Sequence, residues 1–206
     1  HPGLYVVAFD DDEVTSFNIG RQFFSPANIG HKKAEELVTM NNRYWGTQWD
    51  GYSVKYKAKT GGNIIITCTD TISSRKKVWE KLYKSKVGGK KNTFSSVNKD
   101  MQKNYYWLDI GNSADSGQVI LGSNQKDNSL KCVFEVFPEL LQRADKKDEP
   151  SCSMADALQR QDLFINSILA HYGAQMLWSL FRNLGLKEDH GVFVNLQSLL
   201  AAPLKI

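Results

Sequence analysis

The chain has 206 residues, of which 41% are hydrophobic and 23% charged, with a net charge of +4. This is ordinary globular composition, large enough for one sizeable domain with a buried core or a tight pair of small ones, and it excludes disordered, collagenous and disulfide-dense classes. No apolar run reaches the roughly 18 residues of a membrane span; the longest, near Ala170–Phe181, is broken by Gly173, Gln175 and Ser179.

The three cysteines at 68, 132 and 152 form neither a disulfide framework nor a CxxC pair. Such a set fits a reducing compartment, so a cytoplasmic location is expected. The four histidines are scattered, and no structural zinc is expected. Charge is unevenly spread: residues 52–103 carry 13 Lys and Arg against three acids, so the remainder is acidic. A basic middle of this kind suits an anionic partner, or forms a solvated helix face beside a loop.

In chain order, Leu4–Phe9 is a continuous apolar run ending in acids, which predicts a buried parallel strand. Asp10–Ile29 is polar and irregular, with the character of a long functional loop. A helix is predicted from Lys33 to about Met40, and the alternation over Ser53–Ala58 predicts a half-exposed strand. Ile64–Ile66 marks a second buried strand, and Thr71–Lys86 an amphipathic helix. Gly88–Lys103 reads as a loop, and Tyr105–Ile110 as a third strand. Gln118–Leu121 and Cys132–Phe137 are predicted as further strands, Asp145–Pro150 as a charged linker, Met154 to about Asn183 as the longest helix, and Val192–Leu196 as a late strand. Together these elements predict an α/β fold with helices on both faces, a mixed or antiparallel C-terminal portion and a long C-terminal helix.

Asp10, Asp70 and Asp109 each end or follow an apolar strand run. Ligands of open α/β sheets gather at the carboxyl ends of strands, so three such acids favour a common site. Each taken singly is equally explained as a turn or helix cap.

The segment Phe9-Asp-Asp-Asp-Glu-Val-Thr-Ser-Phe-Asn-Ile-Gly-Arg-Gln22 resembles the D-x-D-x-V-x-x-x-N-x-x-R-Q stretch of the ThiF/MoeB/HesA superfamily, bacterial relatives of ubiquitin-activating enzymes. Gly30-His-Lys-Lys33 resembles that family's G-x-x-K, and Ile65–Asp70 with Arg75 resembles its strand followed by C-x-D-x-x-x-x-R. Tyr106–Asn112, Ser116–Gly122, Glu149–Leu158, Gln161–Asn166 and Gly191–Leu196 are similar to the ThiF-like proteins of the plasmid-associated PRTRC cassette.

The resemblance implies a Rossmann-like ThiF-type domain over 1–206, with 1–110 as the nucleotide and magnesium part and 111–206 as the substrate side. It implies ATP-dependent adenylylation of the C-terminal carboxylate of a small ubiquitin-like, β-grasp protein, with magnesium as the metal and a homodimer as the assembly. Carried over by motif, Asp10 binds the ribose, Asn18, Arg21 and Lys33 contact the phosphates, and Asp70 coordinates magnesium. Asp12 is expected to be structural, with Lys32 a competitor for the Lys33 role, and Asp109 a candidate helper. Cys152, ahead of the predicted long helix, is the candidate thiol for a later thioester. Cys68 and Cys132 are expected to be packing residues.

Two departures stand out: the family's opening strand with its Gly-rich turn is missing before Leu4, and the pair of CxxC motifs that holds zinc in many relatives is missing; a milder change is Thr71 after Asp70, where Asn is usual. The first leaves a second reading, a catalytically weak ThiF-like interaction module acting beside partition or nucleic-acid proteins. Direct nucleic-acid binding through 52–103, with Tyr83 or Phe94 stacking on bases, is a third.

Overall fold

The computed structural model describes residues 3–57, 62–82, 106–124, 130–143, 162–183 and 190–204. The chain divides into two compact units, the first holding the described residues up to 57 and the second those from 62 onward. Among the described residues, no helix is long and apolar enough to cross a membrane.

The first unit is a β–α–β arrangement. Strand β1 (Val7–Phe9) pairs in parallel with β2 (Asp50–Tyr52), and helix α1 (Lys33–Trp45) connects them. The helix closes at Gly46, whose φ of 66° is the left-handed conformation of a helix C-terminus that glycine adopts without strain. It lies close to β2 because Gly51 has no side chain: a Cβ there would stand 2.6 Å from the Ala34 carbonyl oxygen. Ala34 and Val38 are the buried residues of α1.

Two expectations fail in this unit. The parallel pairing of the Leu4–Phe9 run holds, but its predicted burial does not: Leu4, Tyr5, Val6 and Val7 are exposed. Apolar content reports what a strand would tolerate, whereas burial needs elements on its faces. The strand predicted over Ser53–Ala58 lies earlier, at Asp50–Tyr52. The ladder ends where β1 ends, at Phe9 opposite Tyr52, and beyond it Ser53 turns to donate its hydroxyl to Glu35 at 2.5 Å. Phe9 stacks on Tyr52 with ring centroids 5.5 Å apart and meets Tyr56 at 5.3 Å.

The second unit is a five-stranded sheet in the order β3-β4-β5-β6-β7, formed by Ile64–Thr67, Tyr106–Asn112, Ser116–Ser123, Gly191–Asn195 and Leu200–Pro203. The first pair is parallel and the others antiparallel, which is the mixed sheet expected. Helix α2 (Ile72–Leu82) follows β3, and α3 (Ile165–Asn183) packs on β4 and β5. The predicted long helix thus begins, among the described residues, at Ile165; its expected start at Met154 lies outside them, as do the loop 88–103 and the linker 145–150.

Strand β4 is covered on both faces. Leu108 joins Val119, Leu121, Ile165, Leu169, Leu180, Val192 and Val194 in the core beneath α3. Period-two alternation sends Trp107 and Asp109 the other way. Trp107 meets Phe134 at 6.0 Å, and Phe134 meets Trp79 of α2 at 5.9 Å.

Cys132–Phe137 corrects a third expectation. It is a single helical turn, Val133–Val136, not a strand. Glu135 accepts the Cys132 amide at 2.7 Å, closing a capping box that satisfies the free end of the turn. Cys132 is buried as expected, and burial followed by the Glu135 charge pushes its thiol up to about 12. Strand β7 was not foreseen.

A polar cluster sits inside this apolar layer. Asp109 is 1% exposed, and its Oδ1 accepts the Thr67 hydroxyl at 2.6 Å and lies 3.0 Å from Arg75 Nε. The indole of Trp107 donates to the same Thr67 hydroxyl at 2.8 Å. Burial raises the Asp109 carboxyl above its ordinary range, opposed by the Arg75 charge and the two hydrogen bonds.

Two measurements test this packing. In Gly122→Ala the new Cβ would meet the Cys132 Cα at 2.6 Å, backbone that cannot swing aside, whereas in Gly173→Ala it meets only the ends of Ile110 and Leu108 at 3.1 and 3.2 Å. Urea unfolding is expected to show a loss of about 1–3 kcal/mol for the first and less for the second. For Asp109, a folded-state pKa above the unfolded one means a stabilising contribution that is complete below about 4 and is lost as pH rises through the raised value. The stability of Asp109→Asn relative to the parent should therefore move in the variant's favour as pH climbs from below 4 toward neutrality; a flat difference would contradict the raised carboxyl.

Candidate functional site

In the first unit, the carboxyl end of β1 leads into three consecutive acids. The Asp10 amide donates to the Tyr52 carbonyl at 3.2 Å, prolonging the ladder by one bond. Its Oδ1 accepts the Asp12 amide at 2.9 Å, a local turn that swings the chain away from the strand. Asp12 then meets the start of α1 twice: its carbonyl accepts the Lys33 amide at 3.0 Å, and its Oδ2 accepts the Lys33 ammonium at 2.9 Å. The Lys33 side chain is 14% exposed and that of Asp12 65%. Asp10 and Lys33 are thereby brought together through Asp12, the acid expected to be structural.

The adjacent pair works the same way on the outside. Lys32 binds Glu13 at 2.8 Å, which lowers the Glu13 carboxyl and raises the Lys32 ammonium. Lys32 is thus engaged by Glu13 while Lys33 is engaged by Asp12, so the two lysines have different neighbours. Val14, 1% exposed, anchors the same short bridge, with its amide 2.8 Å from the His31 carbonyl. One oxygen each of Asp10, Asp11 and Asp12 lies within 4.8 Å of the others, and Lys55 stands 3.6 Å from Asp11.

The 10–29 stretch is more ordered than its composition suggests. It contains two 3-10 turns, Ser16–Asn18 and Pro26–Asn28, built alike. Asn18 Oδ1 accepts the Thr15 amide at 2.8 Å and the Thr15 hydroxyl at 3.1 Å; Asn28 Oδ1 accepts the Ser25 amide at 2.7 Å and the Ser25 hydroxyl at 2.8 Å. The side-chain oxygen of Asn18 is therefore used by the fold. Arg21 follows directly, its amide 3.3 Å from the Asn18 carbonyl and its Nε donating to the Phe17 carbonyl at 3.2 Å. The second turn is pinned to α1 by Asn28 donating to Glu36 at 2.6 Å, with His31 2.8 Å from the other Glu36 oxygen. Asn28 and Glu36 had escaped notice; the repeated S/T-x-x-N spacing, ten residues apart, is the signal that reveals the turns.

Chemically, this end of the unit offers a cation restrained by one exposed carboxylate at the N-terminus of a helix. An anion of higher charge can compete with Asp12 for Lys33 at this helix start. A separate concavity of about 780 Å³ lies along α1, lined by Phe23, Met40, Asn41, Arg43, Tyr44 and Trp45; it contains none of the expected site residues.

In the second unit, Asp70 is exposed in the turn between β3 and α2. Cys68, two residues earlier, is also exposed rather than packed in the core, yet protein around its sulfur and then the Asp109 charge push its thiol up to about 11. It is no thiolate at neutral pH. Asp109 is not at a strand end but inside β4, committed to Arg75 and Thr67. Cys152 and residues 58–61 and 83–103 of the basic segment lie outside the described residues. Of the expected set, Asp10, Asn18, Arg21 and Lys33 share the first unit, and Asp70 belongs to the second.

No protein-family model and no curated protein matches this chain. Solved structures do. PaaA matches with a TM-score of 0.62 at 12% identity, covering 97% of this chain and 55% of PaaA. Escherichia coli MccB with ATP matches with 0.59 at 11% identity, over 97% of this chain and 55% of MccB. The microcin C7 biosynthetic enzyme MccB in complex with N-formylated MccA matches with 0.55 at 10% identity, over 97% and 56%. The chain thus spans about 55% of the length of these proteins. At such identities the likeness is one of fold: a mixed α/β, Rossmann-like architecture found in PaaA and MccB.

Proposed function

We propose that the protein is an ATP-dependent adenylyltransferase that activates the C-terminal carboxylate of a small ubiquitin-like protein, as part of a PRTRC-type cassette. The observation that carries this reading is the Asp10–Asp12–Lys33 arrangement where β1 ends and α1 begins. It coincides with the ThiF-like motifs of residues 9–75 and with a fold found in MccB, which has been solved with ATP.

The chemistry has to bring a carboxylate to a triphosphate of the same sign. Lys33 and Arg21 supply positive charge, Lys33 by exchanging the Asp12 carboxylate for phosphate oxygens. Asp10 keeps its Oδ1 on the Asp12 amide and uses its carboxylate for the ribose hydroxyls. Asn18 belongs to the same proposal through its amide group, since its oxygen holds Thr15. The exposed carboxylate of Asp70 is the donor type that magnesium takes, and the metal would supply charge neutralisation on the phosphates. Asp70 as metal ligand, Cys152 as acyl acceptor, the homodimer and the substrate-side assignment of 111–206 rest on the sequence resemblance.

ATP-dependent pyrophosphate exchange by the full-length protein, with a carrier ending in a free carboxylate, tests the reaction. Lys33→Met and Asp10→Asn are each expected to lower exchange by about 100-fold or more. Independently of turnover, ATP at a hundredfold its dissociation constant should stabilise the parent by about 2.7 kcal/mol in thermal unfolding, and Lys33→Met much less. Equal ATP stabilisation of both proteins would remove Lys33 from the site, and exchange absent with any carrier would favour the interaction-module reading.

A further inference from the structure

The second unit contains a buried cation with an unusual set of partners. Arg75 lies on the first turns of α2 and is 8% exposed. Its Nη2 donates to two main-chain carbonyls, Thr69 at 2.9 Å and Ile110 at 3.3 Å. Its Nε lies 3.0 Å from Asp109, which Thr67 holds in turn. One guanidinium thus reaches the chain leaving β3, the end of β4 and the carboxylate between them.

The Thr69 carbonyl has particular leverage. It shares a planar peptide unit with the Asp70 amide, so fixing the oxygen fixes the plane on which Asp70 is mounted. Asp70 itself is exposed in a short turn.

The guanidinium also needs room. At Gly111 of β4, a Cβ would stand 2.8 Å from Arg75 Nη2 and 2.8 Å from Gln118 Nε2. Both are ends of flexible side chains, so a methyl there displaces the cation rather than the backbone. Gly111 therefore provides the slot through which Arg75 reaches the two carbonyls.

We propose that Arg75 is a positioning residue that, through the slot left by Gly111, locks the peptide plane carrying Asp70 and so presets that carboxylate for a divalent cation. The metal-binding part rests on the proposed function; the lock itself does not. A guanidinium in place keeps the turn rigid before any ligand arrives, so binding does not have to order it. A lysine would retain the charge beside Asp109 but lacks the planar fork that spans two acceptors.

Arg75→Lys and Gly111→Ala disturb the lock in different ways, one by removing the fork and the other by displacing it, and both leave Asp70 and the apolar core intact. Amide hydrogen exchange is read without ligand, and urea unfolding identifies the folded fraction. Exchange in residues 68–72 is expected to quicken about tenfold in both variants, with strands β4 and β5 unchanged. Unaltered protection of 68–72 in either folded variant would overturn the lock. Mn²⁺, titrated by its paramagnetic signal in the presence of a non-hydrolysable ATP analogue, is expected to bind about tenfold more weakly to both variants than to the parent. Faster exchange with unchanged Mn²⁺ affinity would leave Arg75 merely structural and overturn the positioning role. A parent protein that binds no Mn²⁺ would refute that role together with the proposed reaction, while the exchange data still decide the lock.

Discussion

The second unit is organised around a carboxylate that water does not reach. Asp109 sits in the middle of β4, between two apolar faces, and a charge there is tolerable only with donors on it. Thr67 supplies one from β3 and Arg75 another from α2. The consecutive elements β3 and α2 are thereby keyed to the more distant β4 at a single oxygen. The arrangement adds little stability over an apolar filling, because both ions must be desolvated. What it contributes is a tie that joins β3, β4 and α2 at Asp109.

The first unit is held differently. Its described apolar core is small, with Val14, Phe24, Ala34 and Val38 buried. The long connection from β1 to α1 is fastened by polar ties: Asp12 to Lys33, Glu13 to Lys32, Asn28 and His31 to Glu36, and the two Asn-closed turns. Exposed ion pairs such as Glu13–Lys32 are weak in water and exchange readily. A cation held so lightly is suited to changing partners when a more highly charged anion arrives. The rigid buried pair in one unit and the exchangeable pairs in the other are thus different uses of the same residue types, separated by solvent exposure.

Local chemistry was legible wherever it depends on neighbours in sequence. The isoleucine run of β3, the start of α1, the amphipathic α2 and the strands β4 and β5 follow from local composition and turn residues, and the mixed sheet follows from their order. The acids after β1, with Lys33 beyond them, were also recognisable, because their spacing in sequence is fixed by a strand end and a helix start. Cys132–Phe137 misled because a short apolar run serves a strand or one buried helical turn equally well; the Glu135 cap decides between them.

Residue order alone determined most of the strands and helices and placed Asp10, Asp12 and Lys33 between a strand end and a helix start, since these depend on propensity and spacing. Only the folded chain decided that Asp12 holds Lys33, that the Leu4–Val7 run stays exposed, and that Arg75 passes Gly111 to reach Ile110. Each of these is a matter of distance between groups far apart along the chain, or of what covers a surface, and neither quantity exists until the elements pack.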